Sequence, residues 1–535
     1  MISGMKLQIP EIPENLVLDP TINKLVELLQ VCLRIIQELT EENAHLKDEI
    51  AKLKGQKPRP KLSPSRTADD AKNKPPPKNS DIHRSSSRRQ RKKEQKTVLP
   101  NNIPAGSIFK GYDTYNVQDL RIESLEIQFR LAVYLSPDGS RIRGELPPEY
   151  QQGHFGAELI AYCLSQYHQC HVTEPLLLEQ LYEMGIDISP AQLSNILIQN
   201  KESFHQEKEE ILKAGLVFSK FLNADDTGAR HDGKNGYCTA IGSPLFTYFE
   251  STGSKSRINF LKILQGKEEL YALTEEAINY AFEHGIGEKS LAALEKHKGK
   301  QFQESAFWEN FLKKQKIESE KDRRIATEAA LLGGALEKGV NPFLITISDA
   351  ARQFAIFLNG LCWVHEERHY RKLIPLSDVE KIELEMVRSD IWDFYEALKE
   401  YKKKPTLVLQ KTLEDRFDQI FGKAYKSAAI NSLLANTRSR KDGLLLVLKY
   451  PFIPLHNNDC ERDIREYAKR RKISGGTRSE AGRKARDTFA SLKKTCMKLG
   501  ISFCDYLKDR LVNAKKIPRM KDLIEQKSQA SPASF

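Results

Sequence analysis

Apolar positions along this chain change their period several times, and each change marks a different kind of element. From 22 to 53 the period is 3.5 residues: Ile22, Leu29, Ile36, Asn43 and Ile50 fall at one heptad position, and Leu25, Cys32, Leu39, Leu46 and Leu53 at the other. All but Asn43 are apolar or Cys, which predicts a parallel two-stranded coiled coil over 21–55 whose register Asn43 fixes. After an N-terminal tail (1–20) and this coil, periodicity stops. Residues 56–100, with Pro75-Pro76-Pro77 and many Ser, read as a disordered linker. Residues 101–150 read as a small β-rich module, with a strand at Ile127-Gln128-Phe129-Arg130-Leu131 and a turn at Ser136-Pro137-Asp138-Gly139.

A helical period returns at 155–200. Residues 176–182 form one helix and 184–188 a turn, and Ser189 caps a second helix with Pro190 at its first position. Helix, turn and helix are compatible with a helix-turn-helix, although the pattern alone favours an ordinary helical hairpin. From 216 the runs become short, apolar and β-prone: 217–222, 237–241 and 245–249. A charge-rich helical stretch follows at 266–338, then strand-like runs at 343–347 and 361–364. After a loop at Pro375-Leu376-Ser377 the chain reads as helix to about 445. Strands mixed with helices predict an α/β sheet domain carrying helical insertions.

Composition adds constraints. The 535 residues are 40% hydrophobic and 29% charged, as in ordinary globular proteins. No apolar run is long enough to span a membrane, and the first residues lack the pattern of a signal peptide. Eight scattered cysteines without a CxxC pair suggest neither a disulfide framework nor a zinc ribbon, and reduced thiols fit a cytoplasmic location. The net charge of +12 is uneven: residues 57–97 hold fourteen Lys/Arg against four acids. That segment, with Arg88, Arg89, Arg91, Lys92 and Lys93 at its densest point, suits a polyanion partner, and a self-repelling solvated linker fits the charge as well.

Two acids follow strand-like runs: Asp225 after Phe221-Leu222-Asn223-Ala224, and Asp349 after Ile345-Thr346-Ile347-Ser348. Carboxylates at strand ends face the crevice where α/β sheets hold ligands. A third, Glu461, lies in Asn457-Asn458-Asp459-Cys460-Glu461-Arg462, where a helix begins. Three such carboxylates can hold two divalent cations about 3.5–4 Å apart, and their hard oxygens suit Mg²⁺ or Mn²⁺. Taken singly, each is better explained as a cap or surface residue.

Together these segments resemble a known family. Asn-Asn-x-x-Glu-Arg-x-x-Arg, here Asn457 to Arg465, is similar to the C-terminal catalytic signature of bacterial insertion-sequence transposases of the insertion sequence 66 family. Asp225-Asp226-Thr227 resembles that family's first catalytic position, and Ser348-Asp349-Ala350 with Phe354 its second. Cys362-Trp363-x-His365-x-x-Arg368 resembles the block just downstream. The helical segment from Gly153 to Leu197, the coiled coil and the basic linker match in layout. The family often has a CxxC zinc ribbon near 105–145, which this chain lacks. It also has Asp226 where Glu is usual and His456 where Asp is usual. The resemblance implies a ribonuclease H-like catalytic domain at 216–480, interrupted by the helical insertion 266–338. A helical DNA-binding domain would precede it at 151–215 and a helical tail follow at 481–535. It implies Asp225, Asp349 and Glu461 as ligands of two Mg²⁺ or Mn²⁺ ions that cut transposon ends and join them to target DNA. It also implies a bacterial, nucleoid-associated protein that binds double-stranded DNA as a dimer or larger assembly.

Beyond the triad, Arg465 shares a helical face with Glu461. Arg462, Arg465, Lys469, Arg470, Arg471 and Lys472 form a candidate surface for the DNA backbone. A rival motif overlaps the family block: His365-Glu366-Glu367-Arg368-His369 fits H-E-x-x-H, in which two His bind Zn²⁺ and Glu366 is the base of a metallopeptidase. Pro375 and the strand-like run before the motif argue against the long helix it needs. A third reading is a coiled-coil DNA-binding protein without catalysis.

Overall fold

The structure, a computed structural model, describes residues 95–530 apart from 103, 105, 106, 148, 149, 151, 152 and 376. The N-terminal tail, the expected coiled coil and Arg88, Arg89, Arg91, Lys92 and Lys93 lie outside the described residues. Among its described residues, the expected β-rich module at 101–150 contains one hairpin, β1 (Val133–Leu135) with β2 (Arg141–Arg143). Its turn is the expected one: the Gly139 N–H donates to the Ser136 carbonyl, and Asp138 accepts from the Ser140 N–H and hydroxyl. The expected strand at 127–131 is absent. Most apolar side chains from 108 to 142 are exposed, so nothing at 127–131 is buried deeply enough to fix a second pairing.

Three helices follow: α1 (Ala157–His168), α2 (Glu174–Glu183) and α3 (Pro190–Ile198). Ser189 and Gln192 form a reciprocal capping box at the start of α3, as the Ser-Pro pair predicts. Next, α4 (Glu202–Phe218) takes in Val217 and Phe218, which the sequence suggested as the start of a strand. The buried stripe Ile211, Leu212 and Leu216 continues the helical period to its end, so the strand begins only at Phe221.

That strand is β3 (Phe221–His231), followed by β4 (Lys234–Gly242) and β5 (Thr247–Thr252). Before the expected insertion comes α5 (Arg257–Gln265); the stretch 266–338 then contains β6 (Tyr271–Ala272), α6 (Glu275–Glu283), α7 (Glu288–Glu295), β7 (Gln301–Phe302), α8 (Ser305–Lys314) and α9 (Glu320–Glu337). It has its own core around Tyr271, Trp308 and Leu312. The chain returns as β8 (Ile345–Ser348) and β9 (Leu358–Leu361). The sheet order is β5-β4-β3-β8-β9; β3, β4 and β5 run antiparallel, while β3, β8 and β9 are parallel.

The strand expected at 361–364 lies earlier, because Cys362 begins α10 (Trp363–Arg371). Trp363 drives the change: it is buried against Phe394, Phe417 and Phe421 and donates to the Leu444 carbonyl (3.0 Å). Those partners come from the helical run α11 (Asp378–Lys403), α12 (Leu407–Phe421), α13 (Ala428–Ser439), α14 (Lys441–Leu444) and α15 (Leu446–Lys449).

The chain closes with α16 (Asn458–Ser474), α17 (Glu480–Leu499), α18 (Phe503–Leu511) and α19 (Met520–Gln529). Residues 481–535, expected as a tail, contribute α17 to the heart of the molecule. Its buried Asp487, Ser491 and Thr495, four residues apart, accept the N–H groups of Ser251, Phe249 and Thr247 at 2.8, 2.9 and 3.2 Å. β5 is the sheet's outer strand, so this row of polar side chains satisfies donors that an exposed edge leaves open.

Candidate active site

Strand alternation divides β3 between two environments. Leu222 and Ala224 face the core formed by α4 and α17, whereas Asn223 and Asp225 point the other way, toward α16. On that face Ala240 of β4 and Phe249 of β5 pack with Cys460, Ile464 and Tyr467 of α16. Register brings in the second acid. Asn223 pairs with Ile347 on the parallel strand β8, so two residues further on Asp225 and Asp349 are level with each other. Asp349 follows the last residue of β8, and its carboxylate accepts the Ala351 N–H (3.1 Å). Ala350 between them has φ 72°, a left-handed conformation that alanine adopts at a cost of ~1–2 kcal/mol. Asp226, one residue beyond Asp225, points to the opposite side and accepts from Thr239 (2.5 Å) and Gln353 (2.8 Å).

Asn457 joins the third acid to this pair. Its side chain accepts from Asn223 Nδ2 (2.8 Å) and donates to the Ala224 carbonyl (2.8 Å), while its N–H donates to Cys362 Sγ (3.3 Å). One fully buried amide thus ties the start of α16 to β3 and α10. Glu461 is in the first turn of α16. Arg465 reaches it at 3.2 Å, His365 at 3.6 Å and Arg368 at 3.9 Å. The contacts with His365 and Arg368 were missed in the sequence. Their spacing puts both on one face of a helix, but the sequence places them only in the family block and the rival H-E-x-x-H motif.

The electrostatics carry the mark of crowded carboxylates. Burial, reinforced by the charges of Asp349 and Glu461, pushes Asp225 up to about 7, against the Asp226 N–H that holds it down. Glu461 Oε1 is buried and lacks a hydrogen-bond partner. Crowded, partly desolvated carboxylate oxygens suit a hard divalent cation. Among the described residues, however, no three His, Cys, Asp or Glu side chains are gathered closely enough to cage a metal. The three acids therefore lie within electrostatic reach of one another without closing on a common centre.

The other candidates separate. His365, Glu366 and His369 do lie on a helix, but Glu366 is buried and held by Thr437 (2.6 Å) and Arg440 (3.0 Å), so it is unavailable as a peptidase base. Arg462, Arg465, Lys469 and Lys472 form one exposed stripe along α16, with Glu461 at its head. Arg470 does not join them. It is buried, with its guanidinium 3.9 Å from the centre of the Tyr167 ring. Arg471 is half-buried and donates to the Gly228 carbonyl. No helix among the described residues is long and apolar enough to cross a membrane.

Two comparisons bear on this arrangement. A family model described as Transposase IS66 family matches residues 351–485, a span that includes Glu461, His365 and Asn457 but neither Asp225 nor Asp349. A curated protein from Sinorhizobium fredii (strain NBRC 101917 / NGR234), described as uncharacterized protein y4jO, is 40% identical over 303 residues, which covers 56% of this chain and 94% of that protein.

Proposed function

Since the chain belongs to the transposase IS66 family, we propose that it cuts the ends of a transposon and joins them to target DNA, with Asp225, Asp349 and Glu461 holding two Mg²⁺ or Mn²⁺ ions. The observation that carries this reading is the approach of three carboxylates from segments far apart in sequence, close enough that two of them raise the proton affinity of the third. The sheet order, with three antiparallel strands beside two parallel ones, supports a ribonuclease H-like core.

In this reading Asp225, on the central strand β3 and level with Asp349, would hold the cations together with Asp349 and Glu461. Bound there, the cations supply Lewis-acid stabilisation to the attacking and departing oxygens of an in-line displacement at phosphorus. The chain's own residues set the geometry. Asn457 fixes where α16 starts, and His365 and Arg368 orient the Glu461 carboxylate. The stripe of Arg462, Arg465, Lys469 and Lys472 holds the DNA backbone beside the acids without reading its sequence. The 22–53 heptads support assembly as a dimer, which would bring two such sites to a pair of ends.

Incubating full-length protein with labelled transposon ends and Mg²⁺ tests the reading. Wild type is expected to nick and then join the ends. Asp349→Asn and Glu461→Gln are expected to lose at least 10³-fold in both steps while still binding the ends, and Glu366→Gln is expected to act as wild type if it folds. End binding with no cleavage by wild type would instead favour a DNA-binding protein without catalysis.

A further inference from the structure

A second polar site lies on the far side of α16 from Glu461. A partly open pocket of about 40 Å³ lies between α1, α16 and α17. A water molecule needs roughly 10–15 Å³ by this kind of measure, so the space holds about three waters or one compact four-oxygen ion. Three unpartnered polar atoms belong to its walls: Arg470 Nη2, His168 Nε2 and His171 Nδ1. Arg470 and His168 are more than nine-tenths buried, at 5% and 8% exposure.

Its walls are cationic. Lys493, Lys494 and the nearby Lys498 are occupied by two acids: Glu466 pairs with Lys493 and Lys494, and Asp463 with Lys494 (3.4 Å) and Lys498 (3.0 Å). Among the described residues, Arg470 and Arg486 have no acid partner. Arg470 rests on Tyr167 and donates weakly to the Val172 carbonyl (3.4 Å), while Arg486 donates to the Gly475 carbonyl (3.0 Å) and the Ser474 hydroxyl (3.4 Å). Among the described residues, two guanidinium charges thus remain uncompensated around a small pocket whose walls also include Tyr167, Phe249 and Tyr467. A buried donor without a partner is destabilising, and more so when it is charged. An oxyanion would meet both the donor and the charge, whereas water meets only the donor.

We propose that this cavity is a binding site for a phosphate-type oxyanion, separate from the carboxylate site and seated on Arg470 and Arg486. The ligand is a phosphate group, borne either by DNA that wraps this side of α16 or by a free phosphate compound. The proposal goes beyond the transposase reading and does not depend on it.

Titration of full-length protein with inorganic phosphate, followed by calorimetry against chloride at matched ionic strength, tests this. Wild type is expected to show saturable binding. Arg470→Gln is expected to weaken it at least tenfold, and Arg486→Gln, less deeply set and the safer variant for folding, several-fold. Asp349→Asn is expected to bind phosphate as wild type does, which keeps this result separate from the fate of the carboxylate site. Competition between phosphate and duplex DNA would assign the site to a backbone phosphate, and undiminished phosphate binding on the DNA complex would assign it to a free ligand. No saturable signal beyond chloride, or binding unchanged in both arginine variants, would overturn the proposal.

Discussion

Asp225 shows how one residue reports on its neighbours. Its folded-state value of about 7 lies well above the ordinary 3.8, so the folded protein retains the proton through a window where the unfolded chain has lost it. Stability of the cation-free protein should therefore be highest below about pH 4 as far as this group is concerned, and decline as pH rises to about 7. The loss could reach ~4 kcal/mol. Asp225→Asn should remove that decline, and Mg²⁺ should stabilise wild type more at pH 8 than at pH 5. Thermal melts across pH with and without Mg²⁺ check this, and a decline unchanged in the Asn variant would count against it. At the same scale, the left-handed Ala350 beside Asp349 was not legible in the sequence, because nothing about an alanine announces a positive φ.

Among elements, α17 departs most from what its sequence suggests. The sequence alone predicts a helical tail at 481–535 and assigns no role to Asp487, Ser491 or Thr495. Their four-residue spacing instead matches the outward N–H groups of β5, a long-range relation that local periodicity does not contain. Ser491→Ala should leave the Phe249 N–H buried and unpaired, costing about 1–3 kcal/mol, measurable by denaturant unfolding. A change under ~0.5 kcal/mol would mean that water or a shift of α17 replaces the bond. The Ser189 cap and the Gly139 turn were legible because their signals are local. The start of α10 was misplaced because burial of Trp363 against α11 and α12 outweighed the β-prone residues before it. The contact of His365 and Arg368 with Glu461, far later in the chain, is likewise a long-range relation that local pattern does not contain.

On the scale of the whole molecule, α16 separates two kinds of surface. Its outer stripe of Arg462, Arg465, Lys469 and Lys472 is open, whereas Arg470 and Tyr467 are locked inside. A run of basic residues in a sequence does not reveal this division; helical phase does. If the stripe holds DNA, replacing all four by Gln should weaken binding to any duplex and reduce the slope of log K against log salt by about 3–4. An unchanged slope would place the backbone contacts elsewhere. The sequence proposes the three acids from their motifs; the register of β3 with β8 sets Asp225 level with Asp349, and the Asn457 clamp fixes the start of the helix that carries Glu461, which supports their convergence. The most direct test of that convergence is a crystal structure of the protein soaked in Mn²⁺, read by anomalous scattering. The account predicts two Mn²⁺ peaks about 4 Å apart, bounded by Asp225, Asp349 and Glu461. Saturating Mn²⁺ that leaves those carboxylates apart and without metal would contradict it.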